Sequence, residues 1–233
     1  MLIFPNRGFF LLLHKFFTGH CMDTEELPDH LVYSPTVINF VTVAAESCLF
    51  FERAAESDKQ VFVSKALQLM SLLYLRTSLL NIPVRYFDDQ PERFVTEGDY
   101  NDIKSQIEML LGEHDVYLET FHPDMSLSDT PIAAFISENL ADIYQEIKDF
   151  AANYQLGDIE MMNDALAVCL ETFADHWGQK LLNSMRALHQ IKYSFVVGED
   201  DADFGGASQK LNRDSILGFS RDEDNEQDMN MLL

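Results

Sequence analysis

Apolar residues recur at alternating steps of three and four along most of this 233-residue chain, and that spacing restricts the fold more than any other feature. The clearest stripe follows Thr130 and Pro131 and consists of Ile132, Ile136, Leu140, Ile143, Ile147, Phe150 and Tyr154. A period near 3.6 residues places such side chains on one face of a helix, whereas a half-buried strand has a period of two. The spacing therefore predicts an all-α fold, a helical bundle of about five to seven helices.

Capping residues predict where these helices begin. The predicted starts are Ser34 before Pro35, Asp58, Thr96 or Asp99, Thr130 before Pro131, and Asp158. The helix after Asp58 carries leucines most of the way round, which predicts a position in the middle of the bundle. Val116, Tyr117, Leu118 and Phe121 are interpreted as part of a short helical turn. Residues 158–195 are too long for one ordinary helix, so we expect a break or kink at Gly178.

Charge divides the chain into three parts. Residues 1–21 contain two bases and no acid, and a charged pair interrupts their apolar run, so the run is too short to span a membrane. We interpret this segment as an extension outside the fold, either a mis-assigned start or a weak signal-like segment. Residues 22–197 form the predicted bundle domain. Residues 198–233 carry ten acids against three bases and no apolar period, which predicts a disordered acidic C-terminal tail.

The whole chain is strongly acidic, with 39 Asp and Glu against 16 Lys and Arg and a net charge of −23. Such a field repels phosphates and, with no basic stripe to offset it, we expect no nucleic acid partner. The three cysteines are far apart and form no CxxC pair, which favours free thiols in a reducing cytoplasm. A cytoplasmic protein without a membrane span is therefore expected. A genuine signal in residues 1–21 would instead predict an exported or anchored protein.

Three stretches carry a family resemblance: residues 35–46 (PTVINFVTVAAE), residues 91–96 (PERFVT) and residues 138–150 (ENLADIYQEIKDF). Together they resemble the bacterial domain-of-unknown-function family 5063 over roughly residues 34–195. The resemblance implies a helical bundle in a bacterial cytoplasm. It implies no activity and provides no catalytic residues.

Motifs of the common catalytic chemistries are missing from the sequence. A di-iron bundle needs two Glu-x-x-His pairs, but only Glu119 and His122 have that spacing, and Pro123 follows at once. There is no phosphate-binding glycine loop and no Gly-x-Ser-x-Gly nucleophile motif. We therefore predict no catalytic residues, no cofactor and no metal.

Two groups of polar residues on helices are candidates for a pocket. Asp175 and His176 precede Trp177, and the trio forms either a polar cleft with an aromatic wall or a solvated flank beside a core tryptophan. The helical spacing favours the second interpretation, with His176 at the edge of the core. Glu138 and Asp142 share an acidic helix face, which can hold a cation or do acid–base chemistry only in a low-dielectric site. Such a face is ordinarily a solvated surface, and we expect that here.

A long connection between helices supplies the remaining candidates. Arg85, Tyr86, Phe87 and Arg93 lie in a loop longer than most bundle connections, and such loops are often functional. Aromatic residues and arginine dominate interface hot spots, so the loop is either a recognition surface or a cap on the end of the bundle.

Two function hypotheses follow from these observations. The first is a non-enzymatic helical protein that interacts with another protein as an adaptor or regulatory partner. The alternative is a small-molecule or metal-dependent enzyme with a polar site between the two long C-terminal helices. Convergence of Glu138, Asp142, Asp175 and His176 in one pocket favours the enzyme. A dry core and an exposed aromatic patch favour the binding protein.

Overall fold

The computed structural model describes residues 29–119 and 132–200. Within those residues the α-helices are α1 Pro35–Glu52, α2 Lys59–Ser78, α3 Glu97–Leu111, α4 Ile136–Gln155, α5 Ile159–Thr172 and α6 Gly178–Asp200. The predicted all-α bundle of five to seven helices is confirmed. The extension at residues 1–21 and the tail beyond residue 200 lie outside the described residues. Contacts divide the chain after Val196, and the account below concerns the first unit.

Three of the predicted capping residues begin helices as expected. Ser34 accepts a hydrogen bond from the Val37 N–H, and Asp58 and Asp158 cap α2 and α5 in the same way. At α3, Thr96 and the residue three positions later cap each other reciprocally in a capping box. Gly112 ends α3 with a φ of 59°, a conformation that favours glycine because it has no Cβ.

The start of α4 is not where the sequence predicts it. The helix begins at Ile136 rather than after Thr130, because residues 133–135 form strand β2. Strand β1, Val116–Leu118, pairs with β2, Ala133–Phe135, in an antiparallel two-stranded sheet, with Val116 opposite Phe135. The helical turn predicted to carry Val116, Tyr117, Leu118 and Phe121 is therefore wrong for the first three of these residues, and Phe121 lies outside the described residues. Main-chain pairing with a segment distant in sequence overrides the local pattern.

Helix α4 lies at the centre of the bundle and packs against α1, α3 and α5. Its predicted apolar stripe is buried: Ile136, Leu140, Ile143 and Ile147 have no solvent-exposed surface. Phe150 continues the stripe and stacks on Phe40 of α1, with ring centroids 5.0 Å apart. A helix buried along one whole face in this way fixes the positions of its three neighbours.

Helix α2 was predicted to be central, and that prediction is wrong. One of its faces is buried, formed by Phe62, Ala66, Met70 and Leu73, and packs chiefly on α1. A second apolar face stays in contact with solvent and contains Val61, Leu72, Leu75, and Leu79 just beyond the helix end. The number of leucines correctly indicates two apolar faces, but it does not indicate that both are covered.

The long segment after Asp158 is interrupted just before Gly178, where a break was expected. Phe173–Trp177 forms a π-helical turn between α5 and α6, and the Gly178 N–H donates to the carbonyl oxygen of Phe173, five residues back. A Cβ at position 178 would lie 2.4 Å from that oxygen, so the turn requires glycine. Among the described residues, no helix has both the length and the apolar character needed to cross a membrane.

Candidate functional site

The loop of residues 80–96 is held on the surface of the bundle through its main chain. The N–H groups of Tyr86 and Phe87 donate to the two carboxylate oxygens of Asp164, each at 2.8 Å. The neighbouring Asn163 donates its side-chain amide to the carbonyl oxygen of Val84, also at 2.8 Å. Burial alone would raise the pKa of Asp164. The two N–H donors, together with Asn163, outweigh burial and hold that pKa below its usual value.

A second aspartate and asparagine hold the end of the same loop from α4. Both the Phe94 and Val95 N–H groups donate to Oδ1 of Asp149, at 2.7 and 2.9 Å. Asn153 donates to the carbonyl oxygen of Glu92 at 2.8 Å. Burial raises the pKa of Asp149, and here the N–H donors do not fully compensate. The long connection is therefore anchored at two places rather than free to move as a flap.

The four candidate residues of this loop occupy different environments. The side chains of Tyr86 and Phe87 are about half exposed, although their main-chain N–H groups are held by Asp164. Arg85 folds back and donates to the carbonyl oxygen of Asp89 at 2.5 Å. Arg93 is exposed. The structure thus places two aromatic rings on the surface, whereas the Arg85 side chain makes a hydrogen bond within the loop.

The acidic face of α4 is not the solvated surface that the sequence predicts. Asp142 accepts a hydrogen bond from the Tyr100 hydroxyl at 2.9 Å and forms an ion pair with Lys180. Glu138 remains more exposed, 3.7 Å from the ammonium of Lys104. Burial, followed by the charge of Asp142, raises the pKa of Tyr100. Asp142 therefore connects α3, α4 and α6, and the interpretation was wrong because it ignored the helices that cover this face.

The trio at the π-helical turn separates into two exposed residues and one buried residue. Trp177 has no exposed surface, donates its indole N–H to the carbonyl oxygen of Cys169 at 3.0 Å and meets the Phe173 ring edge-on. Asp175 and His176 are both exposed. His176 was expected at the edge of the core. The π-helical turn inserts an extra residue, which rotates it away from the position that a regular helix gives.

Three grooves on the surface do not bring together the residues proposed for an enzyme site. These grooves, formed by described residues, have volumes of about 470, 760 and 40 Å³, and none is lined by Glu138, Asp142, Asp175 or His176. No hydrogen bond or ion pair within residues 29–119 and 132–200 joins Asp142 to His176 or Asp175. Nor does any group of three or more His, Cys, Asp or Glu side chains in that part of the chain have the arrangement of a metal site.

The groove of about 760 Å³ lies between α2 and α6 and was not predicted from the sequence. Its apolar lining consists of Leu67, Leu72, Leu75, Leu182, Met185 and Tyr193, and its basic residues are Arg186 and Lys192. The lining contains two bases and no acid, a local segregation that the total charge of the chain conceals. The signal available in the sequence was the second apolar face of α2.

Two comparisons place the chain among known proteins. Residues 31–194 match the family model described as Domain of unknown function (DUF5063). The crystal structure of protein BF1032 from Bacteroides fragilis has 44% sequence identity and a TM-score of 0.63, over 71% of this chain and 97% of that chain. No curated protein matches the chain. Neither the description of the family model nor that of the Bacteroides fragilis protein names an activity.

Proposed function

We propose that this chain, which belongs to the family of the domain of unknown function DUF5063, is a non-enzymatic helical protein that binds another protein. The observation that carries the proposal is the open apolar groove between α2 and α6. The lining comes from one face of α2 and one face of α6, and a groove between two helices suits a helix of a partner, a common mode of peptide recognition.

The exposed leucines of the groove make partner binding energetically favourable. Leu72, Leu75 and Leu182 are 38, 52 and 42% exposed. Complete burial of a leucine side chain contributes about 1.5–3 kcal/mol, so covering these half-exposed residues is worth roughly 2–4 kcal/mol before the entropic cost of association. Single exposed leucines are common on protein surfaces, whereas a contiguous apolar patch marks an interaction site.

The alternative proposal, an enzyme with a polar site between the long C-terminal helices, has less support. It requires acidic and histidine side chains that converge in a pocket. Asp142 is instead paired with Lys180 and Tyr100, while Asp175 and His176 are directed into solvent. The exposed rings of Tyr86 and Phe87 favour a binding protein, in agreement with the groove.

Polar substitution inside the groove tests the proposal. The tagged wild type should recover binding proteins from cells of its source organism. We expect L75Q/L182Q to recover at least about tenfold less of these proteins, because glutamine removes the apolar contact without adding charge. Quantitative mass spectrometry measures the recovery. The control is V84Q/M109Q, which makes the same kind of change at two strongly exposed residues outside the groove. Equal recovery by the two variants, with similar melting temperatures, would reject the groove as the binding surface.

A further inference from the structure

The basic residues of this acidic protein are segregated onto the two helices that line the groove. None of the 39 acidic residues lies in residues 59–78 or 178–198. Those two stretches contain six of the 16 Lys and Arg residues: Lys59, Lys65, Arg76, Lys180, Arg186 and Lys192. Lys180 is paired with Asp142, and Arg186 and Lys192 line the groove. The lining of the apolar groove therefore carries basic side chains and no acidic one.

The lining of the groove repeats at helical spacing on both sides. On α2 the lining side chains run from Leu67 to Leu75, and on α6 they run from Leu182 to Tyr193. At 1.5 Å per residue these rows are about 12 and 16 Å long. A helix of about three turns matches that length, and its apolar side chains at positions i, i+3, i+4 and i+7 would lie between the two rows.

We infer that the groove between α2 and α6 binds a short amphipathic helix of another polypeptide whose polar face is acidic. The apolar face of that helix would meet Leu72, Leu75 and Leu182. Its carboxylates would lie near Lys192 in the lining and near Lys65, an exposed residue of α2 seven positions before Leu72. This inference rests on the proposed function and adds the charge of the partner to it. Opposite charges at the edge of an interface steer association and exclude partners of the wrong sign.

An acidic helix suits this face better than a membrane does, although both can combine apolar and charged contacts. A helix of three turns lies within the groove, so it meets mainly the local positive charge. A membrane is planar and extends beyond the groove, so it also approaches the acidic surface that gives the chain its net charge of −23. With a Debye length of about 8 Å at physiological ionic strength, the local charges dominate only for a ligand confined to the groove.

Binding of a designed peptide tests the inference with the full chain. The probe is a fluorescein-labelled peptide of about 14 residues with leucine at i, i+3, i+4 and i+7 and glutamate on the opposite face. We expect fluorescence anisotropy to show binding that K65E/K192E weakens at least about tenfold, and that rising salt weakens as well. R53E/K104E carries the same change of charge on α3 and just past the end of α1, and it should bind like the wild type. The same peptide with lysine in place of glutamate should not bind.

The possible failures are distinguishable. Equal binding of the lysine and glutamate peptides, or equal binding by the two charge variants, would overturn the acidic partner while leaving an apolar interaction groove in place. If L75Q/L182Q loses its cellular partners but the wild type does not bind the peptide, the acidic partner is again overturned and the apolar interaction groove is retained. Binding to phosphatidylglycerol vesicles that K65E/K192E abolishes, with no binding of the peptide, would replace the helix with a membrane surface and overturn the inference.

Discussion

Two aspartates hold one loop in chemically different ways. Asp164 uses both carboxylate oxygens, one for each of two N–H donors, whereas Asp149 receives both of its N–H donors at a single oxygen. An asparagine side chain offers one oxygen and one NH₂ group. It can therefore reproduce the hydrogen bonds of Asp149, but at Asp164 it would place a donor against a donor.

We expect D164N to lower the free energy of unfolding by about 1–3 kcal/mol at pH 7, because a partly buried N–H loses its acceptor. D149N is the matched control and should change stability by less than about 1 kcal/mol, since it also removes a carboxylate whose pKa burial has raised. Urea denaturation measures both values. A larger loss in D149N than in D164N would contradict this account of the two anchors.

The difference between wild type and D164N should also depend on pH. The folded-state pKa of Asp164 lies below the ordinary value of 3.8, so folding favours the ionised carboxylate. Its contribution is present in full above about pH 4 and is lost as the pH falls through the lowered pKa. Wild-type stability should accordingly fall more steeply than that of D164N below about pH 4. Parallel curves would mean that the charge of Asp164 contributes nothing.

The trio at the π-helical turn gives a second contrast between neighbouring residues. Replacing Trp177 with alanine should cost about 3–5 kcal/mol, because it empties a large buried volume and removes the hydrogen bond to Cys169. D175A/H176A changes two exposed side chains and should cost at most about 1 kcal/mol. Guanidinium denaturation compares the two. The reverse order would indicate that Asp175 and His176 have structural partners.

Some of these residue environments could be predicted and others could not. The burial of Trp177 follows from its place on an apolar stripe. The role of Asp164 does not, because its partners, Tyr86 and Phe87, lie nearly 80 residues earlier and are contacted through main-chain atoms that carry no sequence signal. Asp142 was misinterpreted for a similar reason, since Lys180 reaches it from another helix.

At the scale of elements, periodicity predicted helices more reliably than it predicted their ends. The buried stripe of α4 was identified correctly, but its start was not. No side chain in the preceding residue caps α4. Asp115 instead accepts hydrogen bonds from the N–H and hydroxyl of Ser137, each at 2.7 Å, and so caps the helix from 22 residues away. A helix start that is capped by a different segment cannot be predicted from the residues next to it.

The π-helical turn reverses the expected effect on stability of replacing a helical glycine with alanine. Glycine to alanine normally stabilises a helix by up to about 1 kcal/mol. We expect G178A to destabilise the protein by about 1–3 kcal/mol instead, because the new Cβ clashes with the carbonyl oxygen and ring of Phe173. G98A in α3 is the control, since its Cβ would meet only an ordinary contact at 3.5 Å. Thermal unfolding in which both variants gain stability would show that the turn relaxes to a regular helix.

At the scale of the molecule, the class of fold and the family were predicted correctly, whereas the arrangement of the helices was not. The apolar period tells which face of a helix is buried but does not tell which neighbour covers it. For that reason α4 rather than α2 is central, and the second apolar face of α2 became part of an open groove. The lining of the same groove contains bases and no acid, although the total charge of the chain is −23. Composition alone does not show this local difference in charge.

The anchoring of residues 80–96 also bears on how this protein can change during evolution. Asp164, Asn163, Asp149 and Asn153 all hold main-chain atoms of the loop, which every amino acid except proline supplies in full. Substitution of Tyr86 or Phe87 by any residue except proline therefore leaves these hydrogen bonds in place, whereas substitutions in the four anchors do not. Surface chemistry at Tyr86 and Phe87 can drift, or adapt to a new neighbour, while the backbone beneath them stays where it is.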